Sequence, residues 1–107
     1  MIQKMKGTYD LIEDIPYIHE IEKKMMHVSR LFNFNEIRTP HFEVSDLFHR
    51  SVGETSDIVS KETYDFKDRG DRLNTLRPEG TAGIVRAYIE NKLYAIPALP
   101  HKYYYAG

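Results

Sequence analysis

The chain has 107 residues, with 15 Lys and Arg against 16 Asp and Glu, a formal net charge of −1, and neither Cys nor Trp. The length fits one domain with a modest core, and the near-zero charge excludes a chain that coats nucleic acid by bulk attraction, though not a local phosphate site. Zero Cys excludes a disulfide framework, an Fe–S cluster and any Cys-based zinc site. No apolar run approaches the roughly 18 residues of a membrane span, and Met1 to Asp10 lacks the apolar stretch of a secretory signal. The expectation is a cytoplasmic protein without a membrane partner.

Residues 1–13 show little periodicity and read as an irregular lead-in. A helix is predicted from Asp14 to Phe32. Asp14 can cap it, and Pro16 falls in the first turn, where a missing N–H costs little. Ile18, Ile21, Met25, Val28 and Phe32 recur at intervals of 3, 4, 3 and 4, one apolar stripe. Such a stripe packs on the chain's own core or against a partner subunit.

Asn33 to Val44 reads as extended, with Pro40 biasing Thr39 away from helix. Phe42 and Val44 alternate with Glu43. Ser45 and Asp46 can cap a short helix from Asp46 to His49, loosely ended by Gly53. Residues 53–62 are polar and read as a loop. Thr63 to Lys67 and Arg72 to Arg77 form two predicted strands, joined by Asp68-Arg69-Gly70-Asp71, where Gly70 is free to take a positive φ. Pro78-Glu79-Gly80-Thr81 breaks the second strand and opens a helix to about Leu93, with Ile84, Val85, Tyr88, Ile89 and Leu93 as its apolar face. Lys102 to Ala106 is strand-like and contains three consecutive Tyr. The chain stops at Gly107 as though cut inside a sheet. The overall expectation is an α+β fold.

His19, His27, His41, His49 and His101 are the natural suspects for metal or acid–base chemistry. None forms an H-x-x-x-H pair and none joins a carboxylate cluster at ligand spacing, so no metal site is expected. Neither G-x-x-x-x-G-K-[ST], G-x-G-x-x-G nor G-x-S-x-G occurs. The Tyr at 103–105 could stack bases, but alternating faces of a buried strand explain them more simply. Thr75-Leu76-Arg77-Pro78-Glu79-Gly80-Thr81 is different. A carboxylate at a strand exit, beside a Gly that permits close approach, can hold a ligand ammonium through charge-assisted hydrogen bonds. The same residues can equally form a capped turn in which Glu79 faces the helix N-terminus. Thr81 can cap the helix or present its hydroxyl to the same ligand.

TLRPEGTAGIVRAYIENKL at 75–93 resembles the TLRPEGT block of histidyl-tRNA synthetases, a family of class II aminoacyl-tRNA synthetases. KGTYDLIEDI at 6–15 is similar to the family's start. FNFNEIRTPHFEVSDLF at 32–48 resembles its motif 1 strand and the segment after it, and SVGETSDIVSKETYDFKDRGDRLN at 51–74 its next loop and hairpin. KYYYAG at 102–107 resembles the entry to motif 2. These blocks cover essentially the whole chain in order.

The resemblance implies part of a class II catalytic domain, an antiparallel sheet flanked by helices, truncated before the motif 2 loop. Motif 1 would span about 14–40, with Arg38, Thr39 and Pro40 at a homodimer interface. The implied enzyme activates histidine with ATP and Mg²⁺ to an adenylate and transfers it to tRNA. Carried over, Glu79 and Thr81 hold the amino group of histidine, Gly80 gives backbone access, and Arg77 and Pro78 shape the turn. No catalytic residue falls within the chain, because the motif 2 arginine lies beyond Gly107. The chain alone is therefore expected to be an inactive N-terminal fragment that self-associates as a dimer or strand-exchanged oligomer. The alternative is the regulatory synthetase paralogue that partners ATP phosphoribosyltransferase in histidine biosynthesis. Such paralogues usually depart at the RPEGT block and the KETYDF hairpin, which this sequence keeps at 77–81 and 61–66.

Overall fold

A computed structural model describes residues 1–51, 62–97 and 100–107. The predicted polar loop at 53–62, with Gly53, falls almost wholly outside them. The chain divides into two compact units, Met1–Asn35 and Glu36–Gly107.

The first unit is dominated by helix α1, Ile15–Leu31. Asp14 occupies the N-cap position as expected, but its side chain makes no capping bond, and Pro16 lies in the first turn. The other end carries a cap that the extended assignment from Asn33 onward misses. Asn33 takes φ 64°, with its N–H on the Arg30 carbonyl (3.1 Å) and the Phe34 N–H on the Ser29 carbonyl (2.8 Å). That pair of bonds is the Schellman closure, and Asn tolerates the left-handed position better than most residues. No α1 residue is buried. Ile21, Met25, Val28 and Phe32 of the apolar stripe are exposed among the described residues.

The second unit holds a three-stranded antiparallel sheet in the order β2-β4-β3, where β2 is Phe42–Val44, β3 is Asp65–Lys67 and β4 is Leu73–Leu76. Helix α2 (Ser45–Ser51) packs beside it, helix α3 (Thr81–Glu90) packs against α2, and Leu93–Ala95 adds a 3₁₀ turn. Strand β1 (Asn35–Glu36) pairs with β5 (Tyr103–Tyr104), and the Ile37 N–H continues this pairing to the Tyr104 carbonyl at 3.0 Å.

The register sorts the side chains. Glu43 stands opposite Thr75, which stands opposite Asp65, while Phe42 faces Leu76 and Val44 faces Asn74. Directly paired residues share one face of a sheet. The inward face of β2 therefore carries Glu43, which is buried, while Phe42 and Val44 are exposed. This reverses the alternation expected from hydrophobicity. The reason is Arg86 on α3, whose Nε and Nη2 donate to the two Glu43 carboxylate oxygens at 2.6 and 2.9 Å. A bidentate, charge-assisted pair compensates the desolvation of a buried carboxylate. The buried apolar side chains among the described residues are Phe48 and Ala87; around them lie the buried polar residues Glu43, Ser45, Asn74 and Thr75. Thr75 is fully buried, and its hydroxyl donates to Asp65 Oδ1 at 2.5 Å and accepts from the Ser45 hydroxyl at 2.6 Å. Ser45 is thus committed to β4 and is the first residue of α2, not its cap; the helix runs past the expected end at His49.

Two further expectations change. In the 68–71 turn, Asp71 takes the left-handed conformation at φ 61°, and Gly70 does not. Asp68 N–H donates to the Arg72 carbonyl and Asp71 N–H to the Asp68 carbonyl, both at 3.0 Å. This is a type I turn followed by a left-handed residue, the three-residue hairpin loop. The Asp68 carboxylate fixes it by accepting from the Gly70 and Arg72 amides at 2.8 and 3.0 Å. The Arg72 amide bond, aided by the Asn74 and Arg72 side chains, lowers the Asp68 pKa.

Helix α3 ends at Glu90, not Leu93, because Lys92 is left-handed at φ 54° and the Asn91 side chain caps the Ala87 carbonyl at 2.9 Å. Its buried positions are Gly83 and Ala87, with Val85 and Ile89 exposed. The small residues let the helix approach closely: a Cβ on Gly83 would stand 3.1 Å from Thr39 Oγ1.

Candidate functional site

The segment from Leu76 to Ala82 passes from strand to helix over one tight turn. The β4 ladder continues one step beyond Leu76, where the Arg77 N–H donates to the His41 carbonyl at 2.9 Å. The Arg77 guanidinium then reaches Thr39, with 3.4 Å from Nη1 to both the carbonyl and Oγ1, and the His41 ring at 3.4 Å. Arg77 thus anchors the turn to residues 39–41. Pro78 follows, exposed, and Gly80 is the N-cap residue of α3.

Glu79 folds back onto that helix. Its Oε2 accepts from the Thr81 N–H at 2.6 Å and its Oε1 from the Ala82 N–H at 3.1 Å. The first N–H groups of a helix have no intrahelical acceptor, and the carboxylate supplies one to two of them. Of the two arrangements open from sequence, the capped turn is present. It does not use up the carboxylate. An ionised carboxylate has about four lone-pair sites, of which the helix takes two, and Glu79 is exposed. A helix N-terminus carries roughly +0.5 charge, which favours a carboxylate at this position. Thr81, the first helical residue, is exposed beside it.

Gly80 is buried. Its φ of −95° and ψ of −21° are open to any residue. A methyl group at position 80 would overlap the exposed Tyr105 ring, so the ring would have to move to admit one.

The other residues singled out from sequence are placed as follows. Arg38 is exposed and pairs with Glu36 at 3.2 Å; Pro40 is exposed; Thr39 is half-buried against Gly83 and Arg77. Thr39 and the Glu79 turn thus lie at the same end of α3. His49 sits 3.7 Å from Asp65. His101 Nε2 lies 2.8 Å from the Ile96 carbonyl, which can only accept, and Nδ1 lies 2.7 Å from the Tyr88 hydroxyl. Tyr88 also meets the Tyr94 and Tyr103 rings. The tyrosines at 103–105 are therefore divided between this aromatic cluster and Gly80, and none is fully buried. Among the described residues no group of three His, Asp or Glu is placed to hold a metal ion, and no helix is long and apolar enough to cross a membrane.

The Glu43–Arg86 pair is the arrangement sequence reasoning passed over. Its signal was a single acid between two hydrophobics on a short strand, with the matching cation 43 residues away.

Antiparallel strands flanked by helices, with an acid-bearing turn leading from strand to helix, define an α+β fold with a small exposed carboxylate site. The family model for histidyl-tRNA synthetase matches residues 10–107, and the chain belongs to that family. It is 53% identical over 108 residues to the histidine–tRNA ligase of Staphylococcus haemolyticus, and again 53% identical over 108 residues to that of Thermosipho melanesiensis. Each match covers 100% of this chain and 26% of the relative, so the chain spans about a quarter of the length of the relatives it matches. The crystal structure of apo Staphylococcus aureus histidyl-tRNA synthetase superposes with a TM-score of 0.82 at 45% identity, over 98% of this chain and 24% of that one. A protein from Bacillus halodurans C, described as an ATP phosphoribosyltransferase regulatory subunit/histidyl-tRNA synthetase, gives a TM-score of 0.78 at 26% identity, over 100% of this chain and 27% of that one.

Proposed function

We propose that this chain forms the amino-group side of the histidine site in a cytoplasmic histidine–tRNA ligase. The observation that carries the proposal is the Glu79 carboxylate, held by two helix amides and exposed. An α-ammonium group is a cation with three donors, and Glu79 and the Thr81 hydroxyl offer it acceptors of complementary charge and geometry. A carboxylate already fixed by its own helix does not have to be ordered when the substrate arrives, so less of the binding energy is spent on positioning.

The whole reaction, with histidine, ATP and Mg²⁺ forming an adenylate and tRNA receiving histidine, belongs in this proposal to the longer protein. The described residues bring together no metal-binding cluster, so no step is assigned here to Mg²⁺. The 107-residue chain contributes positioning and is inactive alone. Arg38, Thr39 and Pro40 are assigned to a homodimer contact, with Arg38 and Pro40 supplying the exposed surface and Thr39 tying it to α3. In structural superposition, identity of 45% to the S. aureus synthetase against 26% to the protein with the regulatory-subunit description supports the ligase over the paralogue.

The test is a chimera in which residues 1–107 replace the matching segment of the S. haemolyticus ligase. Histidine-dependent ATP–pyrophosphate exchange is expected in the chimera and not in the 107-residue chain by itself. A folded chimera without exchange would overturn the reading.

A further inference from the structure

We propose that Tyr105 is a positioning residue for Glu79; the inference rests on the amino-group reading above. The starting point is Gly80. Its right-handed backbone conformation does not call for glycine, yet a Cβ there would overlap two ring carbons of Tyr105 and stand 2.8 Å from its hydroxyl oxygen. The glycine and the ring are matched surfaces. Gly80 joins Glu79 to Thr81, so a ring seated on it blocks movement of the whole acid-bearing turn toward that side.

The ring is itself delivered from a fixed point. Tyr105 follows β5 directly, and the backbone of β5 is tied to the Ile37 amide through the Tyr104 carbonyl at 3.0 Å. The strand end before the turn is held by Arg77, bonded to Thr39 and His41. Glu79 is therefore fixed by α3 amides through its carboxylate, by Arg77 through the preceding strand and by Tyr105 through the following glycine. Removing the ring opens space next to the N-cap of α3 and lets the turn sample other positions. The carboxylate then meets the ammonium less often in its bound geometry, which weakens ground-state binding of histidine without touching ATP.

The experiment measures exchange kinetics of the chimera carrying Tyr105→Ala, Tyr105→Phe, Gly80→Ala, and the Gly80→Ala/Tyr105→Ala double change. KM does not depend on how many molecules are folded, so partial misfolding does not mask the result. Tyr105→Ala is expected to raise the histidine KM about tenfold, the scale of one charge-assisted hydrogen bond, with the ATP KM within about twofold. Tyr105→Phe keeps the ring and should restore the histidine KM to within about twofold of the parent. Gly80→Ala alone should be damaging, and adding Tyr105→Ala should relieve it, because the overlap disappears. An unchanged histidine KM in Tyr105→Ala, equal rises for histidine and ATP, or a Tyr105→Phe defect as large as that of Tyr105→Ala would overturn the proposal. If the parent chimera shows no exchange, the amino-group reading fails by itself. The Gly80–Tyr105 contact is then read from thermal unfolding of the same four proteins, where additive effects would refute it.

Discussion

Arg86→Ala is expected to destabilise the chain more than Glu43→Ala, although both remove the same ion pair. The difference comes from what each change leaves behind. The Glu43 side chain is 5% exposed and that of Arg86 29%. Without Arg86, a buried carboxylate loses both of its bonds, and removing one partner of a buried pair costs about 3–5 kcal/mol. The partial exposure of Arg86 puts the expected loss at the lower end, about 3 kcal/mol. Without Glu43, Arg86 keeps its bond to Glu90 Oε2 at 2.7 Å and its access to water, so Glu43→Ala should cost about 1–2 kcal/mol. Urea unfolding followed by circular dichroism gives both numbers, provided the slope with denaturant is unchanged. A Glu43→Ala loss equal to or above that of Arg86→Ala would refute the idea that Glu43 is the buried member held in place by Arg86.

Thr75→Val keeps the shape of a fully buried side chain but strands Ser45 and Asp65, and should lower the unfolding free energy by about 1–3 kcal/mol in the same assay. Asn33→Ala places a less tolerant residue at a left-handed helix end and should cost about 1 kcal/mol, read from the thermal midpoint of helical circular dichroism. Asp68 has a folded pKa below its ordinary value of 3.8, so the ionised form is the one folding favours. Its contribution is complete above pH 3.8 and is lost as pH falls through the lowered folded pKa. An acid titration of stability should therefore show the parent losing its advantage over Asp68→Asn in that window; an advantage that grows with acid would contradict the assignment.

The features set by short-range chemistry were readable in the residues. The 3,4 spacing from Ile18 to Phe32 locates α1, and the turn-rich stretch at 68–71 locates the hairpin. The Pro-Glu-Gly-Thr run marks the start of α3. What failed to show depended on a partner far along the chain. Nothing near Glu43 says that it points inward, because its reason is Arg86. The buried edge of α3 is Gly83 and Ala87 because Thr39 comes close, and a search for large hydrophobics selects Val85 and Ile89 instead. Gly70 was the obvious left-handed residue of its turn, but the Asp68 carboxylate pins that turn in a form whose left-handed place is Asp71. At the strand-to-helix turn, the bonds that hold the Glu79 carboxylate and the closeness of the Tyr105 ring to Gly80 needed three dimensions.

The central claim is that Glu79 meets the ammonium group of histidine. Calorimetric titration of the chimera with histidine and with 3-(imidazol-4-yl)propionate, which lacks only that group, tests it most directly. Glu79→Ala should weaken histidine by about ten- to hundredfold, the loss of a charge-assisted bond, and leave the deamino compound unchanged. Equal weakening of both ligands would show that Glu79 only shapes the turn, and would contradict the account.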